Sequence, residues 1–330
     1  MHKLDSVHMG SQISYKKIFI VGCPRSGTTW LQQMLAKHEA VIPIKRESHI
    51  YRLVYEPFTY ITRLDAQQRW QRWRYFLQHF GPSALVFGAT SADLWNSILK
   101  SYRIYQKNND IGLHHLISYQ QLVTLIHQVK QTPGSDLERA QTLVSLILDS
   151  FFAQVGGQPQ QFLLEKTPFH IKHVDVILNS FPEAKIINIV RDGRDVCASL
   201  QARAKTKRWA QYDTKTIISQ WEKCIYLSEK FSLEPAFKER IYSVKYEALR
   251  QNTTPELRHI CRFIDLPMAP EKLRQIVASC SIEKIKNKGA GQHVNQGNID
   301  SWRTHLPKEH IDLWHQSAGT TLARLGYSIA

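Results

Sequence analysis

The chain has 330 residues, 43% apolar and 10% aromatic, enough for one large domain or two small ones with a substantial core, which excludes a disordered or fibrous protein. Lysine and arginine number 43 against 28 acidic residues, a formal charge of +15 that calls for anionic partners. The cations are scattered, with no basic block, so a polyanionic small ligand or an acidic glycan explains them as well as nucleic acid does. No apolar run reaches the roughly 18 residues of a membrane span, and the polar N-terminus lacks the apolar segment of a secretory signal. Residues 1–15 read as a disordered leader, and a cytoplasmic protein is the expectation. Cys23, Cys197, Cys224, Cys261 and Cys280 are far apart and form no CxxC, so neither zinc nor a disulfide framework is expected.

Taken in order, Ile18–Val21 is a buried strand running into Gly22-Cys23-Pro24-Arg25-Ser26-Gly27-Thr28-Thr29 and then a helix to about His38, with Trp30, Leu31, Met34 and Leu35 on its apolar side. A strand feeding a glycine loop at a helix N-terminus is an anion site, above all for phosphate. The spacing is G-x-x-x-x-G, but the lysine that follows the second glycine in nucleoside-triphosphate loops is replaced by Thr28, and the cation sits inside the loop as Arg25. Pro43 breaks the chain into a short extended piece, after which come Glu47 and His49. Residues 51–155 read as a helical insertion, with a Trp70-Trp73-Leu77 stripe and a helix start at Ser135 or Asp136. From Gln161 a β–α–β rhythm returns: strands at Phe162–Leu164, Lys185–Val190 and Arg240–Val244, and helices at Pro255–Ile264, Pro270–Ser279 and Glu309 to about Leu325. This pattern predicts an α/β fold, a central parallel sheet flanked by helices in the manner of P-loop nucleotide hydrolases, with residues 16–330 as one domain. Arg25, Lys166 and Arg191 each follow a strand end, and parallel sheets bind ligands there. They are expected in one crevice.

The second chemical signal is Arg191-x-x-Arg194-Asp195 with Ser199 eight residues after Arg191, a pair able to grip a further phosphate. Two grips suggest a nucleotide with phosphate at both ends. Glu47 or His49 is a candidate general base. Lys166 is a candidate ligand-side cation, the alternative being that the adjacent pair Glu165-Lys166 is ordinary surface. Cys23 reads as a small residue tolerated in a tight loop, with a low-pKa thiol as the alternative.

PRSGTTWL after one strand, EKTP after another and IVRDGRDVCAS after a third resemble the sulfotransferases that use 3′-phosphoadenosine-5′-phosphosulfate (PAPS). VKYEALRQN and the segment following it resemble their later strand and helix. The resemblance covers roughly residues 16–50 and 160–305. It implies that Arg25, Ser26, Gly27, Thr28 and Thr29, with Trp30 beside them, hold the 5′-phosphosulfate, and that Arg191 and Ser199 hold the 3′-phosphate. Tyr246 resembles a position near the adenine, and one of Lys284, Lys286 and Lys288 closes over the nucleotide. Glu47 in KRESHIY resembles the glutamate base of the bacterial, glycan and protein-tyrosine branch. His49 beside it stays open, and His114 or His115 answers more weakly to the histidine of the small-molecule branch. The implied reaction is in-line sulfuryl transfer from PAPS, leaving adenosine 3′,5′-bisphosphate (PAP), with no metal. The expected acceptor is the hydroxyl or amine of a small molecule, a carbohydrate or glycolipid being the alternative, and the protein is expected to be a monomer or homodimer without nucleic-acid or membrane partners. The rivals are a P-loop kinase using Mg-ATP and a basic nucleic-acid-binding protein.

Overall fold

A computed structural model describes residues 15–59, 90–108, 111–205, 210–281 and 298–329. The Trp70-Trp73-Leu77 stripe and Lys284, Lys286 and Lys288 lie outside these residues.

Strand β1 is Lys16–Gly22 and helix α1 is Thr28–Leu35, shorter than predicted. Beyond it the His38 ring accepts the Ala40 amide at 3.1 Å, a local turn that replaces another helical turn. β2 is Val41–Pro43, and Pro43 is tolerated because β2 lies at the sheet edge. A π-helical turn at Tyr51–Tyr55 leads into the short α2, Glu56–Thr59. The insertion is helical where described: α3 Ser91–Asn108, α4 Tyr119–Lys130 and α5 Asp136–Gln154. Ser118 and Ser135 start α4 and α5 with capping boxes closed by Gln121 and Glu138, which decides for Ser135 as the cap.

β3 (Phe162–Lys166) leads through a 3₁₀ turn, Pro168–His173, into α6, Val174–Ser180. β4 is Lys185–Val190 and α7 is Gly193–Ala204. Next comes α8, Thr214–Leu233, a long helix capped by Asp213 that is not among the predicted elements. β5 (Ile241–Lys245) is followed by α9 (Tyr246–Gln251), α10 (Thr253–Phe263), α11 (Pro270–Ser279), α12 (Trp302–His305) and α13 (Lys308–Arg324).

Among the described residues the five strands are all parallel, in the order β2-β3-β1-β4-β5. Residues of β1 alternate between two apolar cores, as a strand covered on both faces must. Ile18 and Ile20 meet Trp30, Leu31, Met34 and the helices of residues 253–279. Phe19 and Val21 meet the other core, which runs on into α3, α4, α5, α8 and α13. The register sets Ile20 beside Lys166 and Gly22 beside Ile189, so the carboxyl ends of β1, β3 and β4 are level. Among the described residues no helix is long and apolar enough to cross a membrane.

Candidate active site

The turn after β1 works because glycine stands at two crowded positions. Gly22 has φ +144°, and a Cβ there would lie 2.4 Å from the Ile189 carbonyl oxygen. Gly27 has φ +92°, and its Cβ would lie 2.4 Å from the Tyr246 ring. Arg25, at φ 74°, occupies the left-handed region without being glycine, the kind of strain that gathers at ligand sites. No side chain caps α1 at Gly27, so the first amides of the helix keep the orphan donors that an anion satisfies. Ser26 is fully buried, and its Oγ has no hydrogen-bond partner among the described residues.

Arg25 turns from this loop toward α7, where its Nε donates to Ser199 Oγ at 3.0 Å. Arg191, just past β4, donates from Nη1 to the Arg25 carbonyl at 3.0 Å and from Nη2 to the Asn298 carbonyl at 2.9 Å, and its guanidinium lies 4.2 Å from the Tyr246 ring centroid. Its buried Nε has no partner among the described residues. Arg203 is the third cation, one helical turn beyond Ser199. Burial, then repulsion by Arg203 and Arg191, push Arg25 down to about 10, with Glu47 opposing. Three guanidinium groups held this close favour an anion carrying more than one charge.

Asp195 carries the return of the chain over this cluster. It accepts from Ser301 Oγ at 2.8 Å, from the Trp302 amide at 3.0 Å and from the Asp300 amide at 3.1 Å, and it lies 3.6 Å from Arg191. Arg194 is not a ligand-side group. It is buried, forked onto Asp192 at 3.0 and 2.7 Å, and stacked 3.8 Å from the Trp302 ring centroid. Tyr246 and Trp30 are likewise buried. Tyr246 supports Gly27 and Arg191 from beneath, while Trp30 Nε1 donates to the Cys280 carbonyl at 2.8 Å.

On the other side of Arg25, Glu47 Oε1 accepts from Lys166 Nζ at 2.8 Å and Glu47 Oε2 lies 3.2 Å from His49 Nε2. The loop carrying them is pinned through the Ile44 amide to Leu164 at 2.9 Å, through Gln32 to the Ile44 carbonyl at 2.7 Å and through the Gly112 amide to the Glu47 carbonyl at 3.0 Å. Burial alone raises the Glu47 carboxyl, but Lys166 and His49 outweigh it and hold it well below the usual carboxylate range. With its side chain 30% exposed, Glu47 still reaches the open side of the crevice. His49 sits at φ 49° with its Nδ1 buried and unpartnered among the described residues.

Arg25, Ser26, Gly27, Arg191, Ser199, Glu47, His49 and Lys166 thus come together as expected. His114 and His115 lie two and three residues beyond Gly112, on the segment tied to the Glu47 backbone. Arg203 was missed, although its i,i+4 relation to Ser199 on α7 is the signal that finds it. Glu165 is corrected from surface acid to buried group, 1% exposed, because its partners come from Ser48, Thr167 and His170 rather than from water. Cys23 is buried, and a hydrogen bond with Cys224 together with burial pushes its thiol up, which favours the packing reading.

A model of the Sulfotransferase family matches residues 17–270, and the chain belongs to that family. Protein-tyrosine sulfotransferase 1 of Danio rerio is 28% identical over 181 residues, 52% of this chain and 50% of that protein. Protein-tyrosine sulfotransferase A of Caenorhabditis elegans is 26% identical over 338 residues, 99% of this chain and 71% of that protein. The chain spans about half the length of the vertebrate tyrosine sulfotransferases it matches. Among solved structures, a mouse sulfotransferase complexed with PAP aligns at a TM-score of 0.48 and 10% identity, covering 94% of this chain and 84% of that one.

Proposed function

We propose that the chain is a PAPS-dependent sulfotransferase that moves the sulfuryl group to an acceptor hydroxyl or amine, with Glu47 as proton acceptor. The observation that carries this is the position of Arg25, which bonds Ser199 and Arg191 and also lies within the field of Glu47, itself paired with Lys166. The residues fit PAPS: orphaned donors at the start of α1, an unpartnered Ser26 hydroxyl and a cluster of arginines at a second point. Arg25, the α1 amides, Ser26, Thr28 and Thr29 are assigned to the 5′ end, and Arg191, Ser199 and Arg203 to the 3′-phosphate, with Arg25 linked to the second group through Ser199. When bound, PAPS supplies the activated sulfuryl group.

Glu47 takes the proton of the acceptor hydroxyl, and Arg25, Lys166 and the loop amides offset the charge that builds up during transfer. Lys166 also governs the base. An anion placed beside its ammonium competes with Glu47 for it, and a Glu47 released from Lys166 regains the proton affinity that the resting ion pair suppresses.

The absence of a lysine at position 28 weighs against a Mg-ATP kinase. Relatives named for protein tyrosine and, in Photinus pyralis, for luciferin support an acceptor on the alcohol side of the hydroxyl-or-amine choice, since tyrosine presents a phenol. A soluble small molecule is the acceptor class we assign, in a protein without a membrane or nucleic-acid partner. The test is incubation of the purified protein with PAPS and a metabolite panel, read by mass spectrometry. A protein-dependent gain of one sulfuryl group by an acceptor, with PAP released, is expected. PAP release without a sulfated product, or no PAP release, contradicts the reading.

A further inference from the structure

Glu165 is the penultimate residue of β3, one before Lys166, and none of its contacts gives it a direct role in transfer. Its Oε1 accepts from Ser48 Oγ at 2.7 Å and from Thr167 Oγ1 at 2.6 Å, and its Oε2 faces His170 Nδ1 at 2.9 Å. No lysine or arginine pairs with it among the salt bridges of the described residues. An apolar side chain fills such a space at lower energetic cost than a buried carboxylate, so the acid calls for a reason.

The reason lies in what its donors carry. Ser48 stands between Glu47 and His49, and its Oγ also accepts the Ile50 amide at 3.2 Å. Thr167 follows Lys166, and its Oγ1 accepts the His49 amide at 3.4 Å. His49 is held at φ 49°, a left-handed conformation that persists only where the surroundings impose it. One carboxylate therefore ties the Glu47–His49 loop to the strand end that bears Lys166.

We propose that Glu165 is a positioning residue of the transfer site, fixing Glu47 against Lys166 and His49 by clamping Ser48 and Thr167. The proposal rests on Glu47 as proton acceptor for its catalytic consequence but not for its geometry, so the test has two arms. The first arm is titration of the Glu47 carboxyl in the unliganded protein by carbon NMR with labelled glutamate, the signal assigned by its loss in Glu47→Gln. The charged groups facing Glu47 are Lys166 from β3, His49 from its own loop and Arg25 from the loop after β1, and the variants leave all three in place. In Glu165→Ala, and in the Ser48→Ala/Thr167→Ala double variant that does not empty the Glu165 site, the Glu47 titration is expected to climb by at least one pH unit toward the ordinary range. Glu165→Gln, which keeps an acceptor oxygen for both hydroxyls, is expected to stay near wild type.

The second arm is kinetic. Turnover in the first two variants is expected to fall about 10²-fold, as for a displacement of about 1 Å, with PAP affinity unchanged. An unmoved Glu47 titration in the double variant, or a titration moved as far by Glu165→Gln as by Glu165→Ala, overturns the proposal. Full turnover in Glu47→Gln overturns the assignment of the base instead and leaves the NMR arm to decide the clamp.

Discussion

Around Arg25 three guanidinium groups repel one another, with Asp195 3.6 Å from Arg191, whereas Glu47 lies directly against Lys166 and His49. Arg25 is brought down to about 10 by burial and its neighbouring arginines. Glu47 is held well below the carboxylate range by Lys166 and His49. In the proposed function the first region receives an anion, which relieves the repulsion. The second is satisfied at rest and has to be disturbed before it acts. The proposed function places affinity in the first region and chemistry in the second, with Arg25 shared.

Substitutions should separate the two. The largest effect is expected from Glu47→Gln, with turnover lowered by about 10²–10⁴-fold, the usual contribution of a positioned base, and PAP binding by calorimetry within about twofold of wild type. Parallel loss of PAP binding breaks the division. Next is Arg191→Ala. Losing charge-assisted hydrogen bonds worth about 1.5–3 kcal/mol should weaken PAP by about 10–10²-fold, while adenosine 5′-monophosphate, which lacks the 3′-phosphate, is nearly unaffected. Equal weakening of both nucleotides gives Arg191 another task.

A smaller effect concerns pH. Because the folded Glu47 carboxyl is depressed, its basic form is fully present above about pH 4.3, the ordinary glutamate value, and is lost only as pH falls toward the depressed one. The stability it contributes runs the same way, present above the ordinary value and lost below it. His49→Asn removes one of the two groups that hold it down, so the acid limb of kcat/KM should move upward toward the ordinary glutamate value, measured with buffers from about pH 3 to 6. A limb that stays in place separates His49 from the base. The smallest expected effect is on stability alone. Gly27→Ala, forced into φ +92° and against Tyr246, should lower unfolding stability by about 1–3 kcal/mol in urea titration.

The contrast also explains what could be read from the chain before its fold was known. The arginine region is carried by contiguous motifs after β1 and β4, where a strand end and a glycine turn dictate where Arg25 and Arg191 must lie, and the parallel sheet brings those ends level. Lys166 followed from the same rule. Glu47 lies in an irregular loop after an edge strand, and no periodicity marks it. The resemblance singled it out. Glu165 was misread because Ser48, 117 residues away in sequence, reaches it only through tertiary packing, joining the local partners Thr167 and His170 that take the place of water. The helix Thr214–Leu233 was passed over, although Asp213 caps it, and its Trp221 closes the floor beneath Arg191 by donating to that residue's carbonyl at 2.9 Å.

The central claim is that the arginine region reads a 3′-phosphate on an adenine nucleotide without a triphosphate or magnesium. Calorimetric titration of the wild-type protein with PAP, adenosine 5′-monophosphate and Mg-ATP tests it directly. PAP is expected to bind at least tenfold more tightly than either of the others, and equally well with a chelator present. Preference for Mg-ATP, or equal affinity for PAP and adenosine 5′-monophosphate, contradicts it.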